Sequence, residues 1–164
     1  MATQIGLQRD LELRLRIEVL MAEYVHCIDD DRLEEWPNFF TDEGIYRITN
    51  RENYELNLPV NIVFCNGIGM FQDRVSALRK ANIFEPHTYV HITGGLKILE
   101  SDGTTHQTKS NFTIFRTMAE GDMSIFACGK YVDQIVEQGE SLKFSERTII
   151  LESRQIHTLL VIPI

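Results

Sequence analysis

Residues 87–118 read HTYVHITGGLKILESDGTTHQTKSNFTIFRTM and contain two long β-rich runs on either side of an Asp102-Gly103 pair. Tight hairpins favour such a pair because glycine adopts a positive φ without a steric penalty. The same arrangement recurs twice further along, so the second half of the chain is predicted to be an antiparallel meander of four strands. The predicted strands are residues 87–100, 105–118, 123–136 and 142–152, and the later turns are Glu120-Gly121-Asp122 and Gln138-Gly139-Glu140.

Glycines also lie within these predicted strands. Gly94-Gly95 falls in the first strand and Gly129 falls in the third. A missing side chain permits the bulges and bends that curl a long sheet. We therefore expect one strongly curved, mainly antiparallel sheet. The apolar tail from Leu159 to Ile164 is expected to form a final strand or a plug against the core.

An amphipathic helix is predicted near the start of the chain, over residues 7–28. Its apolar residues recur every three or four positions, which places them on one face, and acidic residues lie off that face. The residues of this face are Leu13, Ile17, Leu20, Tyr24 and Ile28.

Two further helices are predicted before the meander. The carboxylates of residues 29–31 are expected to cap a short helix over residues 32–36, whose length Pro37 limits. A third helix is predicted to begin at Gly67, because the apolar residues that follow recur at helical spacing. These residues are Ile68, Phe71, Val75 and Leu78.

The remaining part of the first half is predicted to contain two strands. Residues 44–49 alternate in character as a strand does, and residues 61–65 are a candidate short strand within the long connection 50–66. Helices followed by one curved sheet predict an α+β fold, in which three N-terminal helices close the concave face. We expect a single domain over residues 1–164, because no repeat or low-complexity tract is visible.

Length and charge agree with a globular protein. A chain of 164 residues of which 43% are apolar can bury a substantial core. The net charge of −8 lies mostly in residues 1–43, which hold eleven acidic and four basic residues. Because phosphate binding needs clustered Lys and Arg, and the sequence has no such cluster, a nucleic-acid partner is excluded.

The cysteines and the start of the sequence indicate a reduced, cytoplasmic protein. Cys27, Cys65 and Cys128 are far apart and show neither a disulfide framework nor metal-ligand spacing. No uncharged apolar run could serve as a signal peptide, and no segment is long and apolar enough to span a membrane. Common nucleotide-binding, hydrolase and zinc-protease motifs are absent, and the cysteines and histidines are not spaced for a Rieske cluster. We therefore expect no metal and no cofactor on this chain.

His87, Tyr89 and His91 form the best candidate for a catalytic site. Alternate residues of a strand share one face, so two imidazoles and a phenol line up where they could act as acid–base groups or ligands. If the concave side of the sheet encloses a cavity, Tyr24, Asp29 and Tyr46 could point into it beside this row. Alternatively, the row packs against helices or a partner chain with its polar atoms hydrogen-bonded. The sequence does not decide between these interpretations.

Three other segments admit both a functional and a structural interpretation. Residues 29–31 are not a calcium loop, because consecutive carboxylates diverge, and helix capping is their expected role. The aromatic residues of segment 36–40 are either interface anchors or ordinary core. The cationic residues of segment 74–80 either hold a carboxylate or form a solvated, salt-bridged surface.

Three stretches of the sequence carry a family resemblance. They read DDDRLEEWPNFFT over residues 29–41, YRITNREN over residues 46–53 and DRVSALR over residues 73–79. On these stretches, and over nearly its whole length, the chain resembles the small, or beta, subunits of aromatic-ring-hydroxylating dioxygenases, which are Rieske non-haem iron oxygenases. Within that family it is most similar to the branch that acts on aromatic acids such as terephthalate, benzoate, anthranilate or salicylate.

The resemblance implies a non-catalytic, structural role in the catabolism of aromatic compounds. Members share the cone-shaped, nuclear transport factor 2-like fold, which agrees with the predicted helices and curved sheet. In this family the catalytic iron and the Rieske 2Fe–2S cluster lie on the larger alpha subunit, and NADH supplies electrons through a separate reductase. The alpha and beta chains typically form an α3β3 hexamer. The family's beta subunit supplies no catalytic residue, so the resemblance assigns none to this chain.

The resemblance also makes four residues candidates for subunit contacts. Large rigid side chains and arginines dominate interface energies, which favours these positions. They are Trp36, Arg74, Arg79 and Tyr89.

Two other functions remain open from the sequence. The chain could be a stand-alone cone-fold isomerase or dehydratase that uses His87, Tyr89 and His91 with Asp29 as acid–base groups. It could also be a non-enzymatic carrier of a small ligand, which would need an open apolar pocket and no large partner.

Overall fold

A computed structural model describes residues 2–81, 83–153 and 160–164. In these residues the architecture is the predicted α+β arrangement, with helices packed on one six-stranded sheet. The helices are α1 (Ala2–Asp29), α2 (Arg51–Glu55) and α3 (Ile68–Lys80), with a 3-10 helix at Trp36–Phe39. The strands are β1 (Phe40–Asn50), β2 (Val63–Asn66), β3 (His87–Ser101), β4 (Thr105–Met118), β5 (Met123–Gln138) and β6 (Ser141–Leu151).

The sheet has the strand order β2-β1-β6-β5-β4-β3. Strands β3, β4 and β5 each pair in antiparallel fashion with the next strand in the sequence, which confirms the predicted meander. Strand β1 pairs in parallel with β6, so the sheet is mixed. Helix α1 contacts both β3 and β6, and it therefore crosses the sheet and covers its inner face.

Glycines shape the sheet at the predicted places, in three different ways. Gly103 in the β3–β4 turn has a φ of 94°, a conformation that other residues rarely adopt. The register of β3 against β4 shifts between Gly94 and Lys97, which confirms the predicted bulge. Gly129 instead permits a close approach of two strands, because a Cβ atom there would lie 2.0 Å from the carbonyl oxygen of Ile150.

Helix α1 begins earlier than predicted and has two apolar faces. The predicted face is confirmed, since Ile17 and Tyr24 are fully buried and the other members pack in or against the core. A second apolar stripe along the same helix, which the predicted face does not include, is exposed to solvent. It consists of Leu7, Leu11, Leu15 and Val19.

The segment after α1 differs from the predicted capped helix over residues 32–36. Asp31 takes a positive φ of 57°. After several turns a 3-10 helix forms, and Glu35, the residue before it, makes no side-chain cap hydrogen bond. The expected capping role of residues 29–31 is therefore wrong. Pro37, which is predicted to limit a helix, instead lies in the first turn of the 3-10 helix, where its missing N–H costs no hydrogen bond.

The connection between β1 and α3 contains a short helix that was not predicted. Asn50 caps α2, because its side-chain oxygen accepts a hydrogen bond from the Asn53 backbone N–H at 2.8 Å. Helix α3 follows as predicted and buries Phe71, Val75 and Leu78. None of the described helices combines the length and the apolar character that a membrane span requires.

The described part of the apolar tail, residues 160–164, is a plug against the core rather than a strand. Ile164 is fully buried, and its carbonyl oxygen accepts hydrogen bonds from the hydroxyls of Tyr24 at 3.0 Å and Tyr46 at 3.1 Å. Leu159, where the predicted tail begins, lies outside the described residues. The plug ties the end of the chain to α1 and β1.

Candidate functional site

Asp29 and His91 make the central contact of the predicted site. Asp29 ends α1, and His91 lies on β3 with a fully buried side chain. Oδ1 of Asp29 lies 2.6 Å from Nδ1 of His91, and Oδ2 accepts a hydrogen bond from the His91 backbone N–H at 2.8 Å. The carboxylate therefore orients the imidazole and joins the end of the helix to the strand.

His87 and Tyr89 complete the predicted row on β3. The Tyr89 ring centroid lies 4.9 Å from that of His87 and 6.2 Å from that of His91, and the ring stacks on Phe126 at 5.0 Å. Nδ1 of His87 lies 2.7 Å from the carbonyl oxygen of Glu85, so this nitrogen carries the proton of that hydrogen bond. The structure thus brings four of the six predicted residues, Asp29 included, to one face.

Burial makes the Tyr89 phenol poorly suited to proton transfer. Burial raises its pKa, and the charge of Arg116 offsets part of that rise. The Tyr89 hydroxyl is buried and has no hydrogen-bond partner among the described residues. A phenol with a raised pKa stays protonated at neutral pH and gives up its proton reluctantly.

The other two predicted residues, Tyr24 and Tyr46, lie elsewhere, and both hydroxyls donate to the carbonyl oxygen of Ile164. Three strands separate β1 from β3 in the sheet, so Tyr46 cannot reach the histidine row. The ring centroid of Tyr46 lies 5.1 Å from that of Trp36. Burial raises the pKa of Tyr46 well above its ordinary value. Tyr46 is therefore a core residue.

A pocket of about 310 Å³ lies beside the row, between the end of α1, α3 and the start of β3. His87 and Tyr89 line it, whereas His91 does not. The other polar side chains of its lining are Asp29, Asp31, Arg79 and Thr88.

Arg79 gives this pocket little positive potential, because two carboxylates already bind its guanidinium. It donates to both carboxylate oxygens of Asp31 at 2.8 Å and to those of Glu34 at 2.8 and 3.0 Å. The hydrogen bonds from Arg79 lower the pKa of Glu34 to about 2, so this carboxylate stays ionised. With Asp29 also present, the pocket disfavours an anionic aromatic acid.

A buried ion pair, Asp133 and Arg147, lies on the inner face of the sheet and was not predicted. Nε of Arg147 donates to Oδ1 of Asp133 at 3.0 Å, and Nη2 donates to Oδ2 at 3.2 Å. The guanidinium carbon lies 4.0 to 4.3 Å from the ring centroids of Tyr24, Tyr131 and Phe144. Burial raises the pKa of Asp133 to about 6, against the opposing effect of Arg147. The alternation of side chains along each strand places Asp133 and Arg147 on the inner face. It could have indicated the ion pair only if the register of β5 against β6, which sets the two residues opposite each other, had been known.

The four residues predicted to contact other subunits are mostly engaged within this chain. Trp36 is fully buried and Tyr89 is 3% exposed. Arg74 donates to the carbonyl oxygen of Leu160 at 2.8 Å, and the side chain of Arg79 is 32% exposed. The contacts of these four residues in an assembly stay a prediction. Because Trp36 and Tyr89 are buried, they would influence an interface by stabilising the fold of this chain and not by direct contact.

Potential metal ligands are dispersed in the structure. Within residues 2–81, 83–153 and 160–164, no three His, Cys, Asp or Glu side chains cluster in a way that could hold a metal ion. The thiols of Cys27, Cys65 and Cys128 are free.

Comparison with known proteins identifies the family. The profile of the SnoaL-like domain matches residues 9–148. The small subunit of anthranilate 1,2-dioxygenase from Burkholderia cepacia is 38% identical over 159 residues, which cover 97% of this chain and 99% of that protein. The chain belongs to the small subunits of aromatic-ring-hydroxylating dioxygenases. Subunit beta 1 of the terminal oxygenase component of terephthalate 1,2-dioxygenase from a Comamonas species is 36% identical over 150 residues, covering 92% of this small subunit and 97% of that protein.

A solved structure supports the same family. It is a beta subunit assigned to an aromatic-ring-hydroxylating dioxygenase of Novosphingobium aromaticivorans, with a TM-score of 0.85 and 35% identity over 100% of each chain. The predicted nuclear transport factor 2-like fold and the predicted family are both confirmed. As a dioxygenase small subunit the chain is part of an oxidoreductase, which disfavours the stand-alone isomerase or dehydratase.

Proposed function

We propose that this small subunit is a non-catalytic, structural component of an oxygenase that hydroxylates an aromatic carboxylic acid. The observation that carries the proposal is the 38% identity, over 97% of the chain, with the small subunit of anthranilate 1,2-dioxygenase. The relative named for terephthalate supports it. Anthranilate and terephthalate share a benzene ring that bears a carboxylate, so we assign the substrate to this class, which includes benzoate.

We further propose that the chain binds a larger alpha subunit in an α3β3 heterohexamer in the cytoplasm. The alpha subunit would hold the Rieske 2Fe–2S cluster and the mononuclear non-haem iron, and NADH would supply electrons through a separate reductase. The names of the relatives support a companion chain, because they describe a small subunit and one subunit of a terminal oxygenase component.

We assign the histidine row a structural role in this assembly. Both carboxylate oxygens of Asp29 are engaged by His91, which leaves the pair poorly placed to exchange protons with a ligand. The adjacent pocket carries the carboxylates of Asp29 and Asp31, and the guanidinium of Arg79 is already paired. These features suit packing better than the binding of an aromatic anion.

Co-expression with a larger, Rieske-containing oxygenase chain from the same organism tests the function. The two chains are expected to purify as one complex that hydroxylates an acid from a panel of anthranilate, terephthalate, benzoate and salicylate. Product analysis then identifies the substrate. Failure of the chain to bind any Rieske-containing subunit would overturn the proposal.

A conservative variant tests the structural role of the row. Tyr89→Phe removes a hydroxyl that has no partner among the described residues, so it should preserve folding. We expect the assembled complex to keep its hydroxylation rate to within about twofold. Turnover of a substrate by the wild-type chain alone, lost in Tyr89→Phe, would establish the stand-alone enzyme instead.

A further inference from the structure

Helix α1 exposes a continuous apolar ridge that no other described part of the chain covers. Its members are four residues apart, and because each residue turns the helix by 100°, such a spacing keeps them on one slowly rotating face. Soluble chains rarely leave several large apolar side chains in line and open to water without a partner. This leucine ridge consists of Leu7, Leu11, Leu15 and Val19, which are 62%, 58%, 62% and 53% exposed.

The leucine ridge leads into an apolar groove. The groove has a volume of about 560 Å³ and lies between α1, the 3-10 helix and the β5–β6 turn. Leu15 and Val19 belong to both the ridge and the groove, and Phe39 and Leu142 extend the apolar surface onto the 3-10 helix and β6. The ridge and groove together therefore form one elongated surface, large enough to receive a segment of another chain.

The charges around this surface are mainly negative. Arg14 pairs with Glu18 and Arg16 pairs with Glu137, so two arginines of α1 are neutralised. Two copies placed ridge to ridge would bring their acidic residues together, which opposes association. A partner with Lys or Arg beside an apolar segment would fit instead. Beyond those pairs, the groove lining carries the carboxylates of Glu23 and Glu140 and the ammonium of Lys143.

We propose that the leucine ridge and its groove bind an apolar segment, flanked by Lys or Arg, on the larger oxygenase subunit. This inference rests on the proposed function, because that function supplies the larger subunit. It assigns the acidic, N-terminal face of this chain to the contact between unlike subunits.

Paired surface variants test the assignment in the two-chain complex. Leu11→Ser with Leu15→Ser removes the centre of the ridge, and Val60→Ser with Ile62→Ser is the control, at residues that are 53% and 47% exposed elsewhere on the surface. We expect the ridge variant to raise the Kd for the purified larger subunit at least about tenfold, and the control by less than about twofold. Circular dichroism and the Tm of each variant establish that it is folded.

A charge variant keeps the test decisive if the serine variants fold poorly. Glu23→Lys preserves the apolar surface and is expected to slow association with the larger subunit and to weaken its dependence on salt. An unchanged Kd in the folded ridge variant would overturn the inference. So would a ridge variant that binds the larger subunit normally but loses self-association, because the ridge would then serve a second copy. If the wild-type chain binds no larger oxygenase subunit, the proposed function fails first.

Discussion

At the scale of single residues, Asp29 connects two parts of the fold that are far apart in sequence. It lies 62 residues before His91, and its two oxygens receive the imidazole and the backbone N–H of that residue. The imidazole is fully buried, so water cannot replace the carboxylate. Leaving buried polar groups without partners costs more than a hydrogen bond contributes.

Asp29→Ala should therefore destabilise the subunit by about 2–3 kcal/mol in the free energy of unfolding, measured by urea denaturation at pH 7. Asp29→Asn should cost less, since its amide oxygen still accepts one hydrogen bond. Asp30→Ala is the matched control, because the Asp30 side chain is 59% exposed and its change should cost less than about 0.5 kcal/mol. Equal effects at Asp29 and Asp30 would contradict the structural role.

Asp133 predicts a pH dependence of stability with a defined sign. Burial raises its folded-state pKa to about 6, from an ordinary value of 3.8. Between pH 4 and pH 6 the folded chain then binds more protons than the unfolded chain, so this carboxyl's contribution to stability falls as pH rises through that range and is constant above it. The difference in unfolding free energy between wild type and Asp133→Asn, followed by urea denaturation from pH 4 to pH 8, should show this fall.

Asp102→Asn provides the control, because its difference from wild type should stay nearly constant from pH 4 to pH 8. Hydrogen bonds from the Thr104 and Thr105 backbone N–H groups lower the pKa of Asp102, so its contribution is lost as pH falls below the ordinary value. A wild-type advantage over Asp133→Asn that grows between pH 4 and pH 6 would mean that Arg147 outweighs burial, and the assigned direction would be wrong.

The sequence predicts residue contacts only where they are local. His87, Tyr89 and His91 share a face because strand periodicity requires it. Their contact with Asp29 depends on how α1 crosses the sheet. A single sequence does not indicate which residues 62 positions apart lie close together. The separation of Tyr46 from this row likewise depends on strand order.

At the scale of elements, the meander was predicted correctly and the 3-10 helix was not, because only the meander is determined by local chemistry. The meander was predictable because turn glycines such as Gly103 and Gly121 occupy positive φ, and residues with a side chain rarely fit there. The 3-10 helix was missed because Pro37 can limit one helix or begin the next, and the choice depends on how Trp36 packs into the core.

The two apolar faces of α1 predict opposite effects of similar substitutions. Ile17→Ala removes a fully buried side chain and should lower the unfolding free energy of the subunit by about 2–4 kcal/mol. Leu15→Ala, at a side chain that is 62% exposed, should lower it by less than about 0.5 kcal/mol. Urea denaturation of both variants checks the contrast. Similar losses would show that the exposed face also packs within this chain.

At the scale of the whole molecule, we propose that residues 1–164 form a single domain with one cooperative core. Buried residues from α1, α3, the sheet and the C-terminal plug belong to the same hydrophobic cluster. Trp36 lies near the centre of this cluster, because its ring contacts Phe40, Tyr46 and Phe71. No part of the cluster can lose its packing without exposing its neighbours, which favours all-or-none unfolding.

The sole tryptophan makes this cooperativity measurable. Trp36 fluorescence reports the junction of β1 with α3, whereas far-ultraviolet circular dichroism reports all helices and strands. In urea the two signals should change with the same midpoint and slope, since both follow one transition. A fluorescence midpoint at lower urea would show that the helical layer separates before the sheet, and the single-domain proposal would be wrong. Coincident transitions would instead mean that a substitution at Asp29 or Asp133 weakens the whole subunit, including the acidic face assigned to the larger partner.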